Sequence, residues 1–235
     1  MKKIVAMLLV LATVFAFAAC TPAAPTEPST PDNKAMTYAE FMAAAVDTKC
    51  VVEFYVQATQ GWWNDSIVIY GQTEEGGYFC YETVCTEDQS KQLTPGTKVR
   101  VTGNKTIYDG EVEIMAGQLE ILGGNTWIAS ATDVTALLGK EEIANHMNKL
   151  VSFKGMTLEA INYKNGEPGD DIYVTASKDG ANYEFCVERY LTGPDTEVYK
   201  AFETLKVGDV VDIEGFLYYY ANAINPHVIS IKPAA

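Results

Sequence analysis

One eleven-residue pattern occurs twice in this chain, and it constrains the fold more than any other feature. Leu93-Thr94-Pro95-Gly96-Thr97-Lys98-Val99-Arg100-Val101-Thr102-Gly103 and Leu205-Lys206-Val207-Gly208-Asp209-Val210-Val211-Asp212-Ile213-Glu214-Gly215 both read L-x-x-G-x-x-V-x-[VI]-x-G. In each copy Leu closes a helix, Gly makes the turn, and alternating Val/Ile gives a strand with one buried face. A helix, turn and strand repeated in the same order implies a repeated unit.

The match extends to both sides. Ile67-Val68-Ile69-Tyr70 and Ile172-Tyr173-Val174-Thr175 read as strands. Each is followed by a turn, Glu75-Gly76-Gly77 or Asp179-Gly180, and then by Phe79-Cys80-Tyr81-Glu82 or Phe185-Cys186-Val187-Glu188. These are hairpins, with glycine where positive φ is needed. Val51–Phe54 and Leu150–Phe153 open the two copies as first strands. Glu113–Met115 with Leu119–Ile121, and His227–Ile231, close them. A short helix is predicted over Thr86–Leu93, and a longer one from Pro194-Asp195, with Val198, Phe202 and Leu205 on one face. Thr37-Tyr38-Ala39-Glu40 is a capping box opening a helix to Val46. Asp133 caps Val134–Leu138, and Lys140–Asn148 continues as a second helix.

Three strands, a helix and two strands is the element order of the OB-fold, a five-stranded Greek-key barrel. The sequence therefore predicts a mainly β protein with short helices and two tandem OB-fold-like five-stranded Greek-key barrels. The first domain is expected at 37–124 and the second at 131–235.

The N-terminus has its own signal. Lys2 and Lys3 precede an uncharged run from Ile4 to Ala19, which ends at Cys20. A basic start, a short apolar core and small residues make a secretory signal peptide, here 1–19. Phe17-Ala18-Ala19-Cys20 resembles the lipobox of bacterial lipoproteins, with Phe17 where Leu is usual. Ala16-Phe17-Ala18 is also an A-x-A site, at which ordinary signal peptidase would release a soluble protein. On the lipobox reading Cys20 is lipidated, and 20–36, rich in Pro, Thr and Ala, is an extended tether. The whole chain then resembles exported bacterial lipoproteins that carry tandem OB-like domains. That resemblance implies a binding or scaffold role on the outer face of the cell membrane, anchored through Cys20.

Charge narrows the partner. The chain carries −14, and loss of Lys2 and Lys3 with the leader takes it to −16. Non-specific nucleic-acid binding rests on clustered Lys and Arg, so nucleic acid is expected to be an unlikely partner. No G-x-S-x-G, H-E-x-x-H, C-x-x-C or Walker loop is present, and no enzyme activity, cofactor or metal is expected. His146 and His227 read as surface residues. Glu167-Pro168-Gly169-Asp170-Asp171 lacks the oxygen spacing of a calcium loop. Cys80 and Cys85 are close enough in sequence for a small disulfide loop.

Matching the copies sorts the strand faces. Ile67, Ile69, Phe79 and Tyr81 correspond to Ile172, Val174, Phe185 and Val187, so all are expected inside. The outer face then carries Val68, Tyr70, Tyr78, Cys80 and Glu82, and in the second copy Tyr173, Thr175, Glu184, Cys186 and Glu188. Outer strands two and three are the usual OB ligand face. The candidate ligand residues are Trp62, Trp63, Tyr70, Tyr78, Glu82, Tyr173, Tyr218 and Tyr220. The same aromatics can instead seal the two barrels together. The function expected is a non-catalytic, membrane-anchored binding or scaffold module for a glycan, peptide or protein ligand. The alternatives are a single-stranded nucleic-acid-binding OB-fold and a hydrolase with an unrecognised site.

Overall fold

Thr37 fixes the start of the first helix as its capping box requires. Its hydroxyl accepts from Glu40 N at 3.2 Å, and Glu40 Oε2 accepts from Thr37 N at 2.8 Å. The computed structural model describes residues 34–234, and the chain from Lys34 onward forms one compact unit. The predicted leader, Cys20 and the tether up to residue 33 lie outside the described residues. Among the described residues no helix is long and apolar enough to cross a membrane.

Helix α1 (Tyr38–Ala43) leads into β1 (Lys49–Thr59), β2 (Ser66–Gln72) and β3 (Gly77–Val84). A short α2 (Glu87–Ser90), capped by Thr86, precedes β4 (Lys98–Tyr108) and β5 (Glu111–Ile121). These five strands close in the order β1-β2-β3-β5-β4, all antiparallel except β3 with β5. That is the predicted order and the OB topology.

The second half begins with β6 (Thr132–Asp133) and two 3₁₀ turns, Thr135–Leu137 and Glu141–His146, where α-helices were expected. Asp133 Oδ1 does accept from Thr135 N at 2.9 Å, but the turns behind the cap are too short to continue as α-helix. Then follow β7 (Leu150–Tyr163), β8 (Ile172–Lys178), β9 (Ala181–Val187), α3 (Arg189–Thr192), α4 (Glu197–Ala201) and β10 (Val210–Phe216). A small hairpin of β11 (Tyr219–Tyr220) and β12 (Ala223–Ile224) precedes β13 (His227–Pro233). The sheet order is β10-β13-β9-β8-β7-β6, and β10 also pairs with β7. Five strands therefore close on themselves again, with β13 parallel to β9 as β5 is to β3.

The repeat does in space what it does in sequence. Gly96 and Gly208 sit at φ +93° and +94°, a left-handed turn that favours glycine in both copies. Val99, Val101, Val211 and Ile213 are fully buried. One core fills the first barrel around Val52, Phe54, Ile69 and Val101. A second fills the other around Phe153, Leu158, Val174 and Phe185. A third, smaller cluster of Val68, Tyr70, Phe79 and Phe216 joins the two sheets. Each such side chain contributes about 1.5–3 kcal/mol by burial.

The expected faces are right for β2, β8 and β9 and wrong for β3. Tyr78 and Cys80 point into the first core, while Phe79 and Tyr81 point out. The cause is a one-residue offset in the copy match. Ile69 pairs with Cys80 as Val174 pairs with Phe185, so Cys80 and not Phe79 is the counterpart of Phe185. Beyond that pair β3 carries a β-bulge: Ile67 pairs with Thr83, so Tyr81 and Glu82 oppose Val68 alone, and Glu82 takes the left-handed backbone, φ +51°, that the extra residue needs. The bulge leaves Tyr81 and Glu82 both exposed and returns Thr83 to the interior.

The Cys80–Cys85 disulfide is also corrected. Cys50, Cys80, Cys85 and Cys186 are all free and buried. Cys80 and Cys85 are separated by extended strand at ~3.3 Å per residue. That puts them on the order of 15 Å apart, about twice the Cα reach of a disulfide.

Candidate functional site

The outer face of β2 and β3 is not open along its length. The second barrel covers part of it with aromatic rings. Tyr70 stacks on Phe216 at 4.6 Å between centroids, and Phe79 meets Tyr218 edge-on at 5.1 Å. Tyr218 in turn stacks on His227 at 4.2 Å. The Tyr70 hydroxyl lies 2.7 Å from His227 Nδ1 and accepts from Gln60 Nε2 at 3.0 Å. In the tautomer of neutral His227 with its ring proton on Nε2, Nδ1 accepts the Tyr70 proton. Burial holds His227 down to about 4, so it is neutral at pH 7. Burial likewise raises the Tyr70 phenol well above its usual range. His227 is therefore a buried joint between the barrels, not the surface residue its sequence context suggested.

Where this covering stops, a cleft of about 670 Å³ opens. Trp62, Trp63, Phe79, Tyr81, Tyr190, Tyr218 and His227 line it together with Gln60, Glu82 and Glu188. Three of the rings are largely free: Trp63 is 81% exposed, Tyr190 62% and Tyr81 39%.

Each ring is held by local structure. Trp63 and Ser66 exchange backbone hydrogen bonds at 2.9 and 3.0 Å around Asn64 and Asp65, both at positive φ. That is the tight turn an Asn-Asp pair favours. Trp62 faces the other way, packs on the first core and donates Nε1–H to Cys85 O at 3.0 Å. It anchors the loop that displays Trp63. Tyr190 is presented by α3, whose N-cap Glu188 accepts from Tyr190 N at 2.9 Å and Leu191 N at 2.8 Å through Oε2. Burial, then nearby Asp171, pushes the Glu188 carboxyl up to about 7. Tyr81 faces out because Cys80 before it is held inside opposite Ile69. Glu113, its neighbour below, is also pushed up to about 7, by burial and then by Glu82.

The electrostatics are one-sided. No Lys or Arg lines the cleft. Arg189 lies beside it, its guanidinium 5.0 Å from the Tyr190 ring centre. Among the described residues no group of three or more His, Cys, Asp or Glu is placed to hold a metal ion.

Of the predicted ligand residues, Trp62, Trp63, Glu82 and Tyr218 meet in this cleft. Tyr70 is buried beneath it, and Tyr78 lies inside the first barrel against Phe54. Tyr173 and Tyr220 are exposed but stand apart from it. Tyr81, Tyr190, Glu188 and His227 were missed as site residues. Tyr81 was assigned to the interior by the copy match. Tyr190 follows the end of a strand, where nothing in its sequence context marks it.

No family model matches the chain, and no curated protein matches it. Solved structures of similar outline are distant. A murine DNA-binding protein bound with double-stranded DNA matches at TM-score 0.38 and 11% identity, over 79% of this chain and 96% of that one. The Ifi202 HINa domain in complex with 20-base-pair double-stranded DNA matches at 0.36 and 9%, over 81% and 98%. A replication protein A heterotrimer bound to single-stranded DNA matches at 0.32 and 11%, over 79% and 51%. All three are described as bound to DNA. On this finding two expectations are corrected: that nucleic acid is an unlikely partner, and that the chain is a binding or scaffold module for glycan, peptide or protein ligands. Net charge was read as decisive, although base stacking on aromatic rings is a second contribution to single-strand binding that net charge does not report. The case for a ligand at this cleft rests on the cleft itself.

Proposed function

We propose that this protein is a non-catalytic module that binds single-stranded nucleic acid by stacking bases in the aromatic cleft where its two barrels meet. The observation that carries the reading is the ring of three exposed aromatics, Trp63, Tyr81 and Tyr190, around one cleft. It lies beside β2 and β3 of a closed barrel, the OB-fold's usual ligand face. Every base has a π face, and stacking contributes about 1–3 kcal/mol per base. Only unpaired strands offer bases free to leave their own stack.

The charge of −14 then sets the mode of binding. Bases face the cleft and phosphates face solvent, with Arg189 at the rim beside the Tyr190 ring. One neutralised phosphate changes log K by about 0.7 per decade of salt on a single strand. Salt dependence is therefore shallow, unlike that of a basic groove.

Tryptophan fluorescence of the full chain tests this against short single-stranded oligonucleotides at low and moderate salt. Quenching that persists in moderate salt and is lost in Trp63→Ala and Tyr190→Ala supports the reading. Absence of quenching at low salt, or quenching that both variants retain, overturns it.

A further inference from the structure

Glu82 stands in the cleft wall in a backbone conformation that a residue with a Cβ resists, φ +51°. The β3 bulge imposes it and turns Glu82 to the same side as Tyr81. The carboxylate forms no hydrogen bond and no ion pair among the described residues, so both oxygens are free. Glu188, from the second barrel, has Oε2 tied to two backbone N–H groups and Oε1 without a partner. With no Lys or Arg in the lining, the carboxylates of this wall present hydrogen-bond acceptors to whatever lies between the rings.

Base edges differ in what they offer such a wall. Guanine carries N1–H and N2–H₂ side by side, two parallel donors that match the two oxygens of one carboxylate. Cytosine and adenine each offer one amino group beside a ring-nitrogen acceptor. Thymine and uracil hold a single N3–H between two carbonyls, whose lone pairs oppose the carboxylate. We infer that the cleft selects guanine, with Glu82 accepting from N1–H and N2–H₂, and that it discriminates most strongly against thymine and uracil. The inference rests on the reading of this cleft as a base-binding site.

Inosine separates the two, because it is guanine without the N2 amino group. Oligothymidylates carrying guanine or inosine at the same positions, and plain oligothymidylate, are titrated into the full chain with tryptophan fluorescence as readout. The guanine strand should bind about tenfold more tightly than the inosine strand, the scale of one good bidentate contact. Glu82→Gln should remove that difference, and its affinity for plain oligothymidylate should rise, because the repulsion between the carboxylate and the thymine carbonyls is lost. Equal affinity of the natural protein for all three strands overturns guanine selection and leaves base stacking standing. Selectivity that survives Glu82→Gln overturns the role given to Glu82. No quenching by any strand overturns the base-binding reading, and the inference with it.

Discussion

Glu111 should make this protein less stable as pH rises, and the size of the effect follows from its surroundings. It opens β5 with none of its surface exposed. Its Oε2 accepts from Tyr219 N at 2.8 Å, which ties the β11–β12 hairpin to the first barrel. Its Oε1 has no hydrogen-bond partner among the described residues. Burial pushes this carboxyl from its ordinary 4.5 up to about 8, against the opposing pull of the Tyr219 N–H and Asn148. A folded-state pKa above the unfolded one means that the folded protein holds the proton longer. The stabilisation is complete below about pH 4.5 and is lost as pH rises towards 8, at about 1.4 kcal/mol per pH unit. Glu111→Gln keeps the acceptor for Tyr219 and removes the titration. Urea unfolding of the full chain and the variant measures the difference in stability. Between about pH 5.5 and 7.5 that difference should move by about 2.5 kcal/mol in favour of the glutamine variant. Taking a difference matters, because His227 acts in the opposite sense. Its pKa is lowered to about 4, so its contribution grows as pH rises from there towards 6.5, and it cancels between the two proteins. Stability curves that stay parallel from pH 5.5 to 7.5 would refute the reasoning.

Three further outcomes follow from named contacts. Tyr70→Phe leaves His227 Nδ1 buried without its partner and should cost about 1–3 kcal/mol in urea unfolding; a loss below a few tenths would show that the bond contributes little. In the natural protein the His227 ring proton resonances should not titrate between pH 5.5 and 8 by NMR, since burial keeps the ring neutral; a midpoint near 6.5 contradicts this. Gly96→Ala and Gly208→Ala each force a Cβ into positive φ and should each destabilise by roughly 1–2 kcal/mol, with thermal melts as the readout and unchanged melting as the contrary result.

The barrels were legible because their signals are local and repeated. Alternation at Val99–Val101 and Val211–Ile213 marks strands whichever residues they pair with. The turn glycines and the Thr37 and Thr86 caps are likewise settled within four residues. The expected 131–148 helices failed for a related reason. Asp133 accepts from Thr135 N, but neither 3₁₀ turn has a side-chain hydrogen bond at its own N-cap, and the apolar residues there, Val134 and Ile143, pack into the second core from short turns.

The cleft was only half legible, and the register of one hairpin explains part of the other half. A bulge is decided by the register between two strands, and no sequence window contains that register. Phe79-Cys80 looks like Phe185-Cys186, but the pairing sets Cys80 opposite Ile69 as Phe185 is set opposite Val174, so the look-alike match is one residue out of register and gives the wrong tyrosine to the ligand. The second copy, with uniform register from Ile172 to Lys178, shows what β3 would be without the bulge: Val187 lies inside opposite Ile172, where Glu82 would otherwise stand opposite Ile67. Divergence between duplicated barrels is thus concentrated where the cleft lies. The copy that keeps strict alternation buries Val187, and the copy that breaks it turns the Glu82 carboxylate into the same wall as Tyr81. A bulge costs backbone strain and one unpaired residue. It persists at Glu82 because Ile67–Thr83 on one side and Ile69–Cys80 on the other are both locked in the core. The strain that places the Glu82 carboxylate is therefore borne by barrel packing and does not depend on a bound ligand, which is what a preformed recognition site requires.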